Sequence, residues 1–397
     1  MKVAFVTPRY GVEVLGGAEL GARMLAERLA PLDGWDIEAL TTCATDASTW
    51  VDDYEPGAVE INGVRVHRFR SSSGRHPSFY RRSEELFAGP WSTAHEQRRW
   101  FELQGPVNDE LLDAVAASDA DAVVFYPYLY DPTVRGVALA GPRAVLHPAA
   151  HDEAPLRLPV LHPVFRGAGG LVFQTWSERR LVERTFPVGA TPQLVLGLGV
   201  DEGEGSPTVA REDVGLGDRP YLLCLGRVDD GKGTGVLAEF FARYKQRRPS
   251  PLTLVLAGPV VHRPPAHPDV VVAGPVAEDV KWGLLRGASA LVNPSGYEAF
   301  SLVLIEAWTV GRPVLVNSRC EPTREHCERS GGGLWFDEYA QFEVIVDRLV
   351  DDECLRSRLG ERGRHYVDRN FRWPVLIERY ASFLGEVATR AVTITTS

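Results

Sequence analysis

A chain of 397 residues is too long for one ordinary core, so two domains of roughly 150 to 200 residues each are the default. Its 44% apolar and 24% charged residues are those of a globular protein, and its formal charge of −10 comes without the basic stripe that nucleic-acid binders carry. No stretch approaches the roughly 18 uninterrupted apolar residues of a membrane span, and the run in MKVAFVTPRY ends at its Pro too soon for a secretory segment.

Short β-branched runs alternate with helical patterns along the chain, as βαβ units and parallel sheets require. VAFVTP (3–8), IEALTT (37–42), VRVHRF (64–69), AVVFYP (122–127), AVLHPA (144–149) and LVFQT (171–175) are the strands expected in the first half. Helices are expected between them, for example over 18–30 and 177–186. The stretch DEGEGSPTVAREDVGLGDRP (201–220) is rich in Gly, Asp, Glu and Pro and reads as a linker. Beyond it YLLCLG (221–226), LTLVLAG (252–258), VVVAG (270–274), ALVNPS (290–295) and PVLVNS (313–318) restart the alternation. WPVLIERYASFLGEVATRAV (373–392) has an apolar helical period. The expected architecture is α/β: two facing Rossmann-like domains, 1–200 and 201–372, and a closing helix over 373–397.

Cys43, Cys224, Cys320, Cys327 and Cys354 are odd in number and form no C-x-x-C pair. Disulfides and thiolate zinc sites are therefore not expected, which fits the reducing cytoplasm. Lysine occurs only as Lys2, Lys232, Lys245 and Lys281, so a Lys inside a glycine loop is conspicuous.

That loop is LGRVDDGKGTG (225–235), between a strand and a helix. Gly226, Gly231 and Lys232 fit the G-x-x-x-x-G-K of a P-loop, but Gly233 stands where the magnesium-binding Ser or Thr should be. LTLVLAG and VVVAG also end without the Asp that would help hold magnesium. Two fixed cations, Arg227 and Lys232, remain on a glycine-bearing turn suited to a diphosphate without a metal; a plain βα turn with surface charges is the bland alternative. In NPSGYEAFSLVLIEAWTVGRP (293–313) a helix is expected from about Ser301, with its unpaired first-turn N–H groups forming an anion site. Ser301 is expected to cap it. Glu298 precedes that helix and Glu306 lies on it among apolar residues, an awkward place for an unpartnered charge that a ribose diol would satisfy. Acids decorating a helix N-terminus are the bland alternative.

The segment EAFSLVLIE resembles the E-x7-E motif of family-4 retaining glycosyltransferases of the GT-B fold. GRVDDGKG resembles that family's Arg…Lys diphosphate clamp, GVEVLGGAELGARMLAERLA (11–30) its first glycine loop and helix, and HPAAHDEAPL (147–156) its His-Asp element. FRWPVLIERYASFL (371–384) resembles its closing helix, which crosses back to the first domain. The resemblance runs from residue 1 to about 385. It implies that Arg227 and Lys232 bind the donor diphosphate, Glu306 the ribose hydroxyls and Glu298 the transferred sugar. The amides of Phe300, Ser301, Leu302 and Val303 would lie near sugar and phosphate. Gly16 and Gly17 would let backbone approach the reaction centre, His151 would sit near sugar and acceptor, and Val276 would neighbour the base.

For His151 a structural hydrogen-bonding role stays open beside the catalytic one. The spacing of His147, His151 and His162 matches no zinc site, so no metal is expected. Two departures stand out: the family has Gly at Ser301 and Asn at Leu198. The activity implied is metal-independent transfer of a hexosyl group, with retention, from a UDP- or GDP-linked donor to a hydroxyl acceptor. One rival is a nucleotide-sugar epimerase, which would want His or carboxylate acid–base pairs and against which the ordered motifs speak; the other is a silent nucleotide-sugar-binding subunit, separated by donor turnover. RHPSFYRRSEELFAGPWSTAHEQRRWFE (75–102) is expected to recognise the acceptor through packed helices with an aromatic cleft. It interleaves Phe79, Tyr80, Trp91, Trp100 and Phe101 with arginines. Its net charge of +1 is too small for a polybasic membrane anchor.

Overall fold

The structure, a computed structural model, describes residues 1–14, 17–71, 73–89 and 92–396. The chain divides into two compact units, Met1–Gly197 with the stretch from Ile377 onward, and Leu198–Leu376.

The first unit is built on strands β1 (Lys2–Val6), β2 (Asp36–Thr42), β3 (Gly57–Ile61), β4 (Val64–Phe69), β5 (Ala122–Phe125), β6 (Ala144–Leu146), β7 (Gly170–Phe173) and β8 (Gln193–Val195). They form one sheet in the order β3-β4-β2-β1-β5-β6-β7-β8. Every pairing is parallel except β3 with β4. All residues of β5 and β7 are buried, which is why these strands read as continuous apolar runs. The antiparallel edge strand β3 and the short β8 go beyond the elements expected from the sequence. β3 turns into β4 at Asn62-Gly63, whose φ values of +47° and +81° are those of a tight hairpin turn.

The second unit carries β9 (Tyr221–Leu225), β10 (Thr253–Ala257), β11 (Val270–Gly274), β12 (Ala290–Asn293), β13 (Val314–Asn317) and β14 (Gly333–Phe336). All are parallel, in the order β11-β10-β9-β12-β13-β14, the doubly wound nucleotide-binding arrangement. Its core packs Leu222, Leu254, Val292 and Leu315 against Leu237, Phe241, Phe342 and Val346. The order reverses between β9 and β12, so the loops after these two strands flank the crevice where such sheets bind ligands.

Residues 201–220 are not a free linker. They contain the helix Pro207–Asp213, and Arg286 donates to the Gly203 carbonyl at 2.6 Å and to Glu202 at 2.9 Å. A Cβ on Gly205 would lie 2.1 Å from the Asp279 carbonyl oxygen. Here glycine serves close packing on the helix Glu278–Gly287, not flexibility.

The helix Trp373–Thr396 begins in the second unit and belongs to the first from Ile377. Its fully buried Tyr380 meets His147 Nε2 through the hydroxyl at 2.9 Å, and Arg379 donates to the Val195 carbonyl at 2.6 Å.

Candidate active site

Gly233 explains why the GRVDDGKG loop is not a P-loop. It precedes the helix Thr234–Arg247 with φ +72°, a left-handed conformation that disfavours any other residue. A Cβ there would also lie 2.8 Å from the Pro294 carbonyl oxygen, in the loop after β12. The missing hydroxyl is thus the condition for the two loops to meet. Gly233→Ser should cost about 2 kcal/mol of stability through this strain and bring no Mg²⁺-dependent ATP hydrolysis. Thermal melting and a phosphate-release assay check both; unchanged melting with new ATPase activity would restore the P-loop reading.

Asp229 organises the loop's cations. Its carboxylate accepts from the Lys232 amide at 2.7 Å and from the Arg227 guanidinium. Burial works against its charge, but these two donors outweigh burial and hold its pKa below the ordinary carboxylate value. The Lys232 side chain leaves the loop and meets Glu298 Oε1 at 2.8 Å. The first carboxylate of the E-x7-E segment and the loop lysine therefore face each other at the switch point between β9 and β12.

The loop after β12 is held at both ends by Asn293, which accepts from the Ser295 amide at 3.0 Å and donates to Ser301 Oγ at 2.8 Å. This corrects the expectation that Ser301 caps the helix. Its φ is +69°, its side chain makes no cap hydrogen bond, and its hydroxyl is turned to Asn293. The left-handed backbone is the reason glycine suits this position. The helix Leu302–Thr309 follows, so Leu302 and Val303 supply first-turn amides that the Ser301 side chain does not take. Phe300 is buried, edge-on to His326 and Phe371 with centroids 5.0 and 5.3 Å away.

Glu306 is buried as expected but is not unpartnered. Lys281, on the helix Glu278–Gly287, lies 2.8 Å from its Oε1 and 2.8 Å from Glu278 Oε2. Burial pushes the Glu306 carboxyl above its ordinary pKa against the pull of Lys281. Burial lowers the Lys281 value too, but the two carboxylates outweigh it and the ammonium is held above its ordinary value. Val276 lies between β11 and that helix, half-buried. The sequence reading missed Lys281, Asp229 and Asn293; the rarity of lysine was the one available signal for the first.

Leu198, where the resembled family has Asn, is buried, and Val200 follows it into a pairing with Arg372. An apolar side chain there serves packing and offers no polar contact.

In the first unit Gly16 and Trp91 lie outside the described residues. Gly17 opens the helix Gly17–Leu29, and a Cβ on it would meet no atom within 4 Å. Arg9, after β1, binds the buried Glu19 of that helix at 2.6 Å. His151 follows β6, half-buried, while Asp152 beside it pairs with Arg157. His147 bonds to Tyr380 and His162 packs edge-on to Phe186 at 5.1 Å, so the three histidines do not converge. Among the described residues no group of three or more His, Cys, Asp or Glu could hold a metal ion, and no helix is long and apolar enough to cross a membrane.

The helices Phe79–Ala88 and Ala94–Gln104 do pack as a pair, but the aromatic cleft expected between them is corrected. Phe79, Phe87 and Phe101 pack around Trp100, whose indole N–H donates to Ser83 at 2.8 Å. Phe79, Trp100 and Phe101 belong to the buried core of the first unit, while Tyr80 is exposed. Beside them lies a cavity of about 410 Å³ lined by polar groups such as His76, Arg82 and Glu85 and also by Leu86, Trp100 and Leu103.

Residues 208–366, which carry both loops, match the family of glycosyl transferases group 1. That match lies within the second unit and marks it as similar to the group 1 glycosyltransferases. The chain is 26% identical over 325 residues to a GDP-mannose-dependent α-(1-6)-phosphatidylinositol monomannoside mannosyltransferase of Mycobacterium tuberculosis, covering 72% of this chain and 82% of the relative. It is 28% identical over 177 residues to the lipopolysaccharide core biosynthesis glycosyltransferase LpsE of Rhizobium meliloti, covering 42% of this chain and only 50% of that relative. The sucrose-phosphate synthase of Thermosynechococcus elongatus shares its fold with a TM-score of 0.70 and 18% identity, over 98% of this chain and 99% of the other. The chain thus has the GT-B fold, with two α/β units and a C-terminal helix.

Proposed function

We propose that this chain is a glycosyltransferase that moves a hexosyl group, with retention and without a metal, from a UDP- or GDP-linked sugar to the hydroxyl of a small polar or glycan acceptor. The observation that carries the reading is the Lys232–Glu298 pair, 2.8 Å apart at the switch point of the second sheet. Before the donor arrives each cation is matched by a carboxylate, Lys232 by Glu298 and Arg227 by Asp229. A donor diphosphate takes over Lys232, and Glu298 is freed to accept from the sugar hydroxyls. Glu306 accepts from the ribose diol beside Lys281, and Val276 neighbours the base.

In the transfer step the bond from the anomeric carbon to the diphosphate oxygen breaks. The bond to the acceptor oxygen forms on the same face, and the acceptor proton passes to the leaving diphosphate. Arg227, Lys232 and the first-turn amides of Leu302 and Val303 stabilise the charge that grows on that oxygen. Gly16, Gly17 and His151 are assigned to the sugar and acceptor side.

The test is turnover of UDP- and GDP-hexoses in EDTA with a panel of hydroxyl acceptors, followed by NMR of the product's anomeric coupling. Turnover should persist in EDTA and the anomeric configuration should be retained. Activity that returns only with Mg²⁺ or Mn²⁺, or an inverted product, overturns the proposal.

A further inference from the structure

We infer that Glu178 is a positioning residue for the transfer reaction, holding the 147–151 loop in the shape that presents His151. The inference rests on the assignment of His151 to the reaction centre.

Glu178 is the third residue of the helix Trp176–Thr185, and its amide donates to the Thr175 cap hydroxyl at 3.2 Å. An acid at this position ordinarily folds back onto its own cap. Here one oxygen does so, accepting from the Gln174 amide at 2.6 Å. The other reaches across to the loop after β6 and accepts from the Ala150 amide at 2.8 Å. The nearby Ala149 and Thr175 amides also favour its charged form. Glu178 is only 2% exposed, so it serves no solvent-facing purpose. Burial pushes its pKa up to about 7 against the pull of these amides.

The loop it holds would not keep its shape unaided. Ala149 has φ +51°, a left-handed conformation that costs any residue with a Cβ and is kept only when the surroundings over-determine it. The start of the loop is fixed separately. His147 is fully enclosed between Tyr126, stacked at 4.8 Å, and the Tyr380 hydroxyl, while Gln174 bonds to the Tyr126 hydroxyl. With His147 anchored and Ala150 tied to Glu178, the next residue, His151, emerges half-exposed at one defined point.

The test is a kinetic cycle on the full chain with Glu178→Gln, His151→Ala and the double variant. Glutamine keeps the volume but turns an NH₂ toward amide donors at one end. Glu178→Gln should lower kcat at least about tenfold, as small displacements of reacting groups do. It should leave nucleoside-diphosphate affinity unchanged, because the residues assigned to that binding belong to the other unit. In the His151→Ala background it should change kcat by less than about twofold, as residues acting as one unit do. Should Glu178→Gln fail to fold, Ala149→Gly frees the loop with the carboxylate in place, and it should lower kcat without lowering the melting temperature. A wild-type kcat in the foldable variant, or an undiminished loss on top of His151→Ala, overturns the inference. If His151→Ala alone keeps wild-type turnover, the assignment of His151 falls first and the inference with it.

Discussion

Lys232→Ala is expected to lower turnover by at least about 10²-fold, the loss that follows removal of one preorganised partner of a developing charge. The fold should survive the change. The Lys232 side chain is 35% exposed and meets Glu298 at the surface of the loop, so its removal empties no core. The backbone amide of residue 232, which anchors the loop to Asp229, remains in the variant. Lys245 is the natural contrast. Its ammonium donates to the Leu252 carbonyl at 3.0 Å and pairs with Asp269 at 3.3 Å, with only 7% of its side chain exposed. Lys245→Ala should therefore lower the melting temperature and leave kcat of the folded fraction intact. Steady-state rates and melting curves of the two variants separate a charge that acts on the donor from one that holds the fold. Near-wild-type turnover in Lys232→Ala would return the GRVDDGKG loop to a plain βα turn.

Much of this arrangement is legible in the sequence, and the parts that are not share a cause. Parallel strands buried on both faces leave apolar runs such as YLLCLG and LTLVLAG, which periodicity finds directly. The edge strand β3 is mostly exposed and leaves no such run, although the Asn62-Gly63 turn beside it is a hairpin signal. Residues 201–220 look like a linker partly because Gly203 and Gly205 serve contact with the helix Glu278–Gly287, a partner some 75 residues on that no local pattern announces. The same holds in the site. Glu306 is recognisable as a buried acid from its apolar neighbours, but Lys281 lies 25 residues away and only the fold brings it within 2.8 Å. The aromatics of the segment 75–102 are visible, while their packing against one another is a tertiary fact. Local rules place elements and loop chemistry; partners across the sheet require the fold itself.

The two acids of the E-x7-E segment should separate in binding. Glu306→Gln keeps the shape but weakens what is offered to a ribose diol. Lys281 retains Glu278 at 2.8 Å, so the ammonium is not stranded. Affinity for the free nucleoside diphosphate and for the intact donor should both fall at least about tenfold, a loss of about 1.4 kcal/mol. Glu298→Gln removes the carboxylate that faces Lys232 without touching the ribose contact. Nucleoside-diphosphate affinity should then be unchanged or slightly tighter, while transfer falls or sugar preference shifts. The measurement that bears most directly on the donor site is calorimetric titration, in EDTA, of the wild-type chain and both variants with a nucleoside diphosphate and with the matching nucleotide sugar. The account predicts metal-free binding of both ligands by the wild type, joint loss in Glu306→Gln, and diphosphate binding preserved in Glu298→Gln. Binding that appears only with added Mg²⁺ or Mn²⁺, or diphosphate affinity lost equally in the two variants, would contradict it.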